Sequence, residues 1–376
     1  MGTDKVLFAN ALRGVAALSV IVGHYLGVFW TGQAAVFHMT GIPDHRLPVP
    51  IYVQIVNSIP HFNWGAFGVA IFFVISGFVI PFSFQTYGRA DFLIARLFRI
   101  YPTYIVGLTI GLATLLVGSL VMGTTFPNGT AEIAISYALG YRDIAWSKLL
   151  DGVVWTLEVE LKFYLICAIL APYLRETSLK VFVVPVVLCV TSLALGHFIP
   201  TWNTSRFNFV ALCAPYLQFM FVGVALNYFY RGAIGAVATL SIVCALYLAF
   251  AVSLTFGFFT SPVLPTYAIA IFAFVIAMIF PATVTRLPSI HFWAKISYPF
   301  YVVHALAGYV LLHLFLHLGA KAWMSLIFTF ALVSLASLAM HETVEQRTHR
   351  FGRRLAERVR TKLTRRNPLD AATPAE

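Results

Sequence analysis

Apolar residues run along this chain in long blocks, broken by short polar, Gly-rich or Pro-rich segments. Ten blocks can be read, over residues 10–30, 64–84, 101–122, 153–174, 180–199, 209–230, 233–253, 264–281, 297–317 and 322–340. At ~1.5 Å rise per residue, roughly 20 apolar residues cross the ~30 Å hydrocarbon core of a bilayer. The pattern therefore predicts an all-α polytopic membrane protein, a bundle of about ten transmembrane helices. The blocks between 180 and 281 are apolar and carry no sign of chemistry. Others are interrupted by ionisable groups. Such groups are costly in lipid and turn toward a protein interior or an aqueous pocket, so function is expected there.

Composition agrees with the pattern. Of 376 residues, 60% are hydrophobic and 10% charged, against ~25% charged in soluble domains. Placing the N-terminus in the cytoplasm puts 19 of the 25 Lys and Arg on that side, as the positive-inside rule requires. Five lie outside (Arg46, Arg142, Lys148, Arg206 and Lys321), and Lys162 sits within a block. An even number of crossings then leaves both termini cytoplasmic. This topology accounts for the net charge of +11 without nucleic acid. Cys167, Cys189, Cys213 and Cys244 all fall in apolar runs and read as buried small hydrophobes, not as a disulfide framework or metal site. Nothing before Leu12 resembles a cleavable signal, and no internal repeat marks a secondary transporter. The chain divides into a transmembrane domain, 1–341, and a basic cytoplasmic tail, 342–376. In the tail, Phe351, Leu355, Val359 and Leu363 recur at four-residue spacing among arginines. That spacing predicts an amphipathic helix on the anionic inner leaflet, followed by a disordered end from 367.

The candidate chemistry lies in a few interruptions. In the first block, Arg13 and His24 are eleven residues apart, which brings them to nearly the same helix face, ~16 Å apart along the axis. Ser76 and Gly77 are small residues in mid-block, suited to close packing or backbone approach to a ligand. A Ser nucleophile would need an adjacent base, which the motif lacks. Arg96 and Arg99, three apart, share a helix face. They read either as positive-inside anchors or as a phosphate clamp. Glu158 and Lys162 are i,i+4 in the favourable order and are expected to neutralise each other. Glu160 points elsewhere and needs a partner from another helix. It lies roughly 10 Å below the outer end of its block, and His24 ~9 Å below the end of its own, so the two are expected to meet in one outward-facing cavity. Ser297, Tyr298, Tyr301 and His304 are polar groups at helical spacing. The Tyr residues read as belt anchors or pocket lining, and His304 as pocket lining. The outer loop 31–63 holds His38, Asp44, His45 and His61 at no recognised metal-ligand spacing.

Taken in order, Arg13 with His24, FFVISGF at 72–78, RLFRIYP at 96–102, WTLEVELKFY at 155–164 and SYPFYVVH at 297–304 resemble the acyltransferase-3 family of membrane acyltransferases, over about residues 7–350. The resemblance implies a ten-helix bundle in the bacterial inner membrane. It implies transfer of an acyl group, most often acetyl from acetyl-CoA, to a hydroxyl of a carbohydrate or glycan-like acceptor. Arg13 and His24 match the family's Arg–ten residues–His motif, Arg96 and Arg99 its Arg-x-x-Arg motif, and Glu160 its acidic position. Thr156 stands where Ser is commoner, and Lys162 where Gln is frequent. The expected donor is acyl-CoA, with no permanently bound cofactor and no metal. A second, extracytoplasmic enzyme, if one is needed, is expected to be a separate protein. His24 is expected as general base with Glu160 orienting its ring. Arg13, Arg96 and Arg99 are expected to hold the CoA phosphates. Ser76, Trp155, Glu158, Tyr298, Tyr301 and His304 are expected to line the pocket. The competing reading is a transporter or flippase of a lipid-linked or small polar substrate, with His and Glu as a proton relay.

Overall fold

The structure is a computed structural model that describes residues 7–145, 147–199, 208–255 and 263–366. Arg206 and the tail end from 367 lie outside the described residues. All regular secondary structure among the described residues is helical. The main helices are α1 (Leu7–Gly23), α2 (Trp64–Ser83), α3 (Arg89–Met122), α4 (Thr130–Tyr137), α5 (Val154–Ile169), α6 (Val183–Phe198), α7 (Asn208–Tyr230), α8 (Ala236–Thr255), α9 (Val263–Ile279), α10 (Pro288–Val303), α11 (Leu306–His317), α12 (Ala322–Met340) and α13 (Gln346–Arg366).

Among the described residues, seven helices are long and apolar enough to cross a membrane, and eight if the bent pair α10 and α11 is one crossing. The sequence pattern counts ten. The difference lies in α9, which has 17 residues, and α5, which has 16 and carries Glu158, Glu160 and Lys162. The chain is a multi-pass membrane protein with polar groups turned inward. Glu158, Gln218, Asn227 and His304 are fully buried, whereas Val183, Val186, Val187 and Val190 of α6 are exposed on the outside of the bundle. Such an inverted surface suits a lipid solvent.

α2 is the hub. Its N-terminus is capped by Asn63, whose side chain accepts from the Ala66 N–H at 2.8 Å. It packs against α1, α5, α7 and α9. The contact with α7 is made by two glycines. A Cβ on Gly77 would lie 1.9 Å from the Met220 carbonyl oxygen, and one on Gly223 2.2 Å from that of Val74. Both obstacles are backbone, so neither helix can yield. Gly77→Val is therefore expected to force the pair apart and lower thermal stability sharply, by about 1–3 kcal/mol or more. A detergent melting curve checks this, and an unchanged midpoint would contradict it.

Two segments depart from the sequence expectation. Residues 123–152, which the sequence marks only as a break between two apolar blocks with Arg142 and Lys148 placed outside, fold back into the bundle through α4 and the turns after it. The Tyr104 hydroxyl donates to the Ser136 carbonyl at 2.6 Å, Tyr101 donates to that of Leu139, and Arg142 reaches Glu158. The basic tail, for its part, is not an isolated surface helix. α12 runs through a π-turn at His341–Glu345 into α13, forming one helix over Ala322–Thr361. Its 40 residues measure ~60 Å, twice the hydrocarbon thickness. The Arg-rich half must then lie beyond the membrane, and there α13 packs along the first turns of α3.

Candidate active site

The first half of the site forms where α1 ends. The helix widens into a π-turn over His24–Val28, an irregularity common at functional positions. His24 Nδ1 is hydrogen-bonded to the Tyr309 hydroxyl. Its ring stands edge-on to His304, with centroids 4.8 Å apart and planes at 87°. His304 occupies the break between α10 and α11, where the chain bends by 76°. Its backbone carbonyl accepts from the Gly308 N–H at 3.1 Å and from the Tyr25 hydroxyl at 2.9 Å. His304 Nδ1 lies 2.7 Å from the Tyr301 carbonyl. A carbonyl only accepts, so Nδ1 carries the hydrogen and Nε2 the lone pair. That Nε2 is buried and has no hydrogen-bond partner among the described residues. Asp151 closes this end: its carboxylate accepts from the Val153 N–H at 3.1 Å and faces the N–H of Leu306 at the start of α11.

The second half surrounds Glu160. Its Oε1 accepts from the Ser76 hydroxyl at 3.1 Å and from the Tyr164 hydroxyl. Arg13, Ser76, Glu160, Tyr298 and Tyr301 line a cavity of about 50 Å³. The electrostatic neighbours of the Arg13 guanidinium are Arg99, Glu160, Tyr164 and Arg96. Its Nε is buried without a hydrogen-bond partner among the described residues. Arg96 donates to the Ser83 hydroxyl at 2.7 Å and stacks on Phe92 and Tyr164, 5.3 and 5.4 Å from their centroids. Tyr298 donates to the Ile100 carbonyl at 2.8 Å, which ties α10 to α3 beside Arg99. Tyr301 joins the halves. Its hydroxyl meets that of Thr156 at 2.6 Å, its ring lines the cavity, and its centroid is 5.6 Å from that of His304. A line of polar side chains thus runs through the bundle from Arg96 and Arg99, past Arg13, Glu160 and Tyr301, to His304 and His24. Beyond His24, Phe29 sits edge-on to His313 at 4.8 Å, and His313 is followed by His45 at 5.9 Å.

The structure brings together Arg13, Arg96, Arg99, Ser76, Glu160, Tyr298 and Tyr301 around one end, and His24 with His304 at the other. It corrects two pairings. The hydrogen-bond partner of the His24 ring is Tyr309, not Glu160, because Glu160 is engaged by Ser76 and Tyr164. Glu158 does not pair with Lys162. It takes a two-pronged bond from Arg142, at 2.9 and 2.5 Å, while Lys162 bonds Asp143 at 2.7 Å. The folded-back segment supplies both partners, which local spacing cannot reveal. Glu158 and Trp155 do not line the cavity. Trp155 packs against Tyr216 and Phe73. Tyr309 and Asp151 escaped the sequence reading. The isolated Asp before an apolar block was the one available signal. Among the described residues no three His, Cys, Asp or Glu side chains group as metal ligands.

The acyltransferase-3 family profile, described as an acyltransferase domain, matches residues 6–341, most of the chain. The chain belongs to the acyltransferase-3 family. No curated protein and no solved structure matches it. Family membership makes this bundle a membrane acyltransferase, and the polar line through it contains Arg13, His24, Arg96, Arg99 and Glu160 from the stretches on which the sequence resemblance rests.

Proposed function

We propose that this acyltransferase takes an acyl group, most simply acetyl, from acyl-CoA at the arginine end and transfers it to a hydroxyl of a carbohydrate or glycan-like acceptor reaching His24 from the opposite end. The observation that carries this reading is the continuous polar line joining a cluster of three arginines to a paired imidazole site. The arginine end is cytoplasmic and the bundle crosses the bacterial inner membrane ten times. In that count α5, α9 and the bent α10–α11 pair each provide one crossing, and both termini are inside. A separate extracytoplasmic enzyme can relay the acceptor onward.

In this mechanism the arginines hold the donor's phosphates, for which their planar forks suit. The acyl-pantetheine arm follows the face of α1 that carries Arg13 and His24, ~16 Å long. Tyr309 holds His24 Nδ1 and leaves Nε2 to take the acceptor's proton. The acceptor oxygen attacks the thioester carbonyl carbon, forming the C–O bond as the C–S bond breaks. The imidazolium then returns its proton to the departing thiolate. Glu160, held by Ser76 and Tyr164, balances Arg13 beside the arm.

A kinetic split tests the donor assignment. Arg96→Ala is expected to raise KM for acyl-CoA about ten-fold or more with a smaller fall in kcat, because it removes a contact made in the ground state. A fall in kcat at unchanged KM would contradict it.

A further inference from the structure

α13 follows the end of the family domain at residue 341, yet it closes one side of the arginine cluster. It runs antiparallel along the projecting start of α3. The rings of Phe351 and Phe98 are 5.2 Å apart. Farther along, Arg360 donates to the Thr86 carbonyl at 3.0 Å, just before α3 begins. The crossing leaves no room for a side chain: a Cβ on Gly352 would lie 2.4 Å from Phe98 Cβ. One turn on, Ala356 is fully buried. Held by that contact, α13 sets a half-buried His349 against the cluster.

The electrostatic neighbours of His349 are Arg353 on its own helix, Arg99 and Arg96 on α3, and Arg13 on α1. All four are cations. The carboxylates beside the group are Glu160, which faces Arg13 and Arg96 from α5, and Glu345, one turn before His349, which faces Tyr298 and is bonded to His341. Burial, then these guanidinium groups, push the His349 imidazole down to about 4, so the ring is neutral at pH 7. Cations gathered from three helices repel one another, and an anion placed among them relieves that repulsion.

We propose that α13 forms a wall of the donor site, with His349 and Arg353 binding the nucleotide phosphates of acyl-CoA alongside Arg96 and Arg99. The inference rests on the donor reading above. A bound phosphate reverses the field at His349 and draws a proton from solvent onto the ring. Its proton affinity is then higher in the complex than in the free protein, so donor binding strengthens as pH falls through the value for the complex. An anionic lipid headgroup shares this chemistry, and the test separates the two sources.

The experiment measures binding of CoA, and of pantetheine phosphate, which lacks the nucleotide, to the full chain in neutral detergent. The proteins are wild type, His349→Gln, Arg353→Ala, Gly352→Leu and, as reference, Arg96→Ala. His349→Gln is expected to weaken CoA binding about ten-fold near pH 6, with the wild-type advantage fading toward alkaline pH and pantetheine phosphate little affected. Arg353→Ala is expected to weaken CoA at every pH. Gly352→Leu, which lifts the helix off Phe98, is expected to do the same while the bundle still melts cooperatively. CoA binding unchanged in all three α13 variants but lost in Arg96→Ala would overturn the role of α13 and leave the donor reading standing. A wild type that binds no CoA would overturn both. Variants altered only in their response to added phosphatidylglycerol would assign α13 to the lipid surface and overturn the proposal.

Discussion

His24→Ala lowers acyl transfer by about 10²- to 10⁴-fold, the range for losing a positioned general base, while donor binding stays intact. The expectation follows from where the ring sits. Its Nδ1 is committed to Tyr309, which leaves one nitrogen for the proton of the incoming hydroxyl. The neighbouring His304 cannot simply replace it. Its Nδ1 bond to the Tyr301 carbonyl leaves its Nε2 open as well, but the residue is fully buried at the helix break, whereas His24 is half-buried. Removing the imidazole also leaves the buried Tyr309 hydroxyl without its partner, at a cost of about 1–3 kcal/mol. His24→Gln retains a polar side chain toward Tyr309 and separates the two effects. It is expected to fold like wild type and to be as inactive as His24→Ala. The check is the rate of product formation at saturating donor. Activity near wild type in either variant would exclude His24 as the base.

Arg142→Ala is expected to be the most destabilising single change in the bundle, by about 3–5 kcal/mol. Glu158 is fully buried, and both of its oxygens are taken by the Arg142 fork. A third guanidinium nitrogen donates to the Ser147 carbonyl at 3.0 Å. This arginine therefore pins the folded-back segment to α5 as well as neutralising Glu158. Deleting it strands a carboxylate in a dry interior. Replacing both partners with apolar side chains, Arg142→Met with Glu158→Leu, removes the stranded charge and is expected to recover most of the loss. Thermal melting in detergent checks both. An Arg142→Ala curve superimposable on that of the wild type would show that the pair carries no such load.

Much of the helical frame was legible because the bilayer imposes a long apolar period that few other folds share. The site was legible in halves. Arg13 and His24 fall on one face because eleven residues make close to three turns, whereas Glu160, expected to be bonded only from another helix, takes Ser76 from α2 and also Tyr164 from one turn along its own helix. What the chain pattern could not convey is long-range or irregular. The π-turn at His24 and the break at His304 are departures from helical period that no residue type demands. Glu158 and Lys162 satisfy a local pairing rule, yet they bond to residues 16 and 19 positions upstream, because segment 123–152 returns into the bundle. The tail's four-residue spacing pointed to a helix on a lipid surface, and residues 346–366 are helical. The spacing could not tell lipid from protein as the covering surface; the contacts of Phe351 and Gly352 with Phe98, and of Arg360 with Thr86, do so.

The most direct test of the account is equilibrium binding of acetyl-CoA to the purified protein, comparing wild type, His24→Ala and Arg96→Ala. If the arginine end holds the donor and His24 performs the chemistry, wild type and His24→Ala bind alike, Arg96→Ala binds weakly, and His24→Ala alone among the three fails to release free CoA at saturating donor. Absence of binding by the wild type, or loss of binding in His24→Ala equal to that in Arg96→Ala, would contradict the separation of donor clamp from catalytic base on which the account rests.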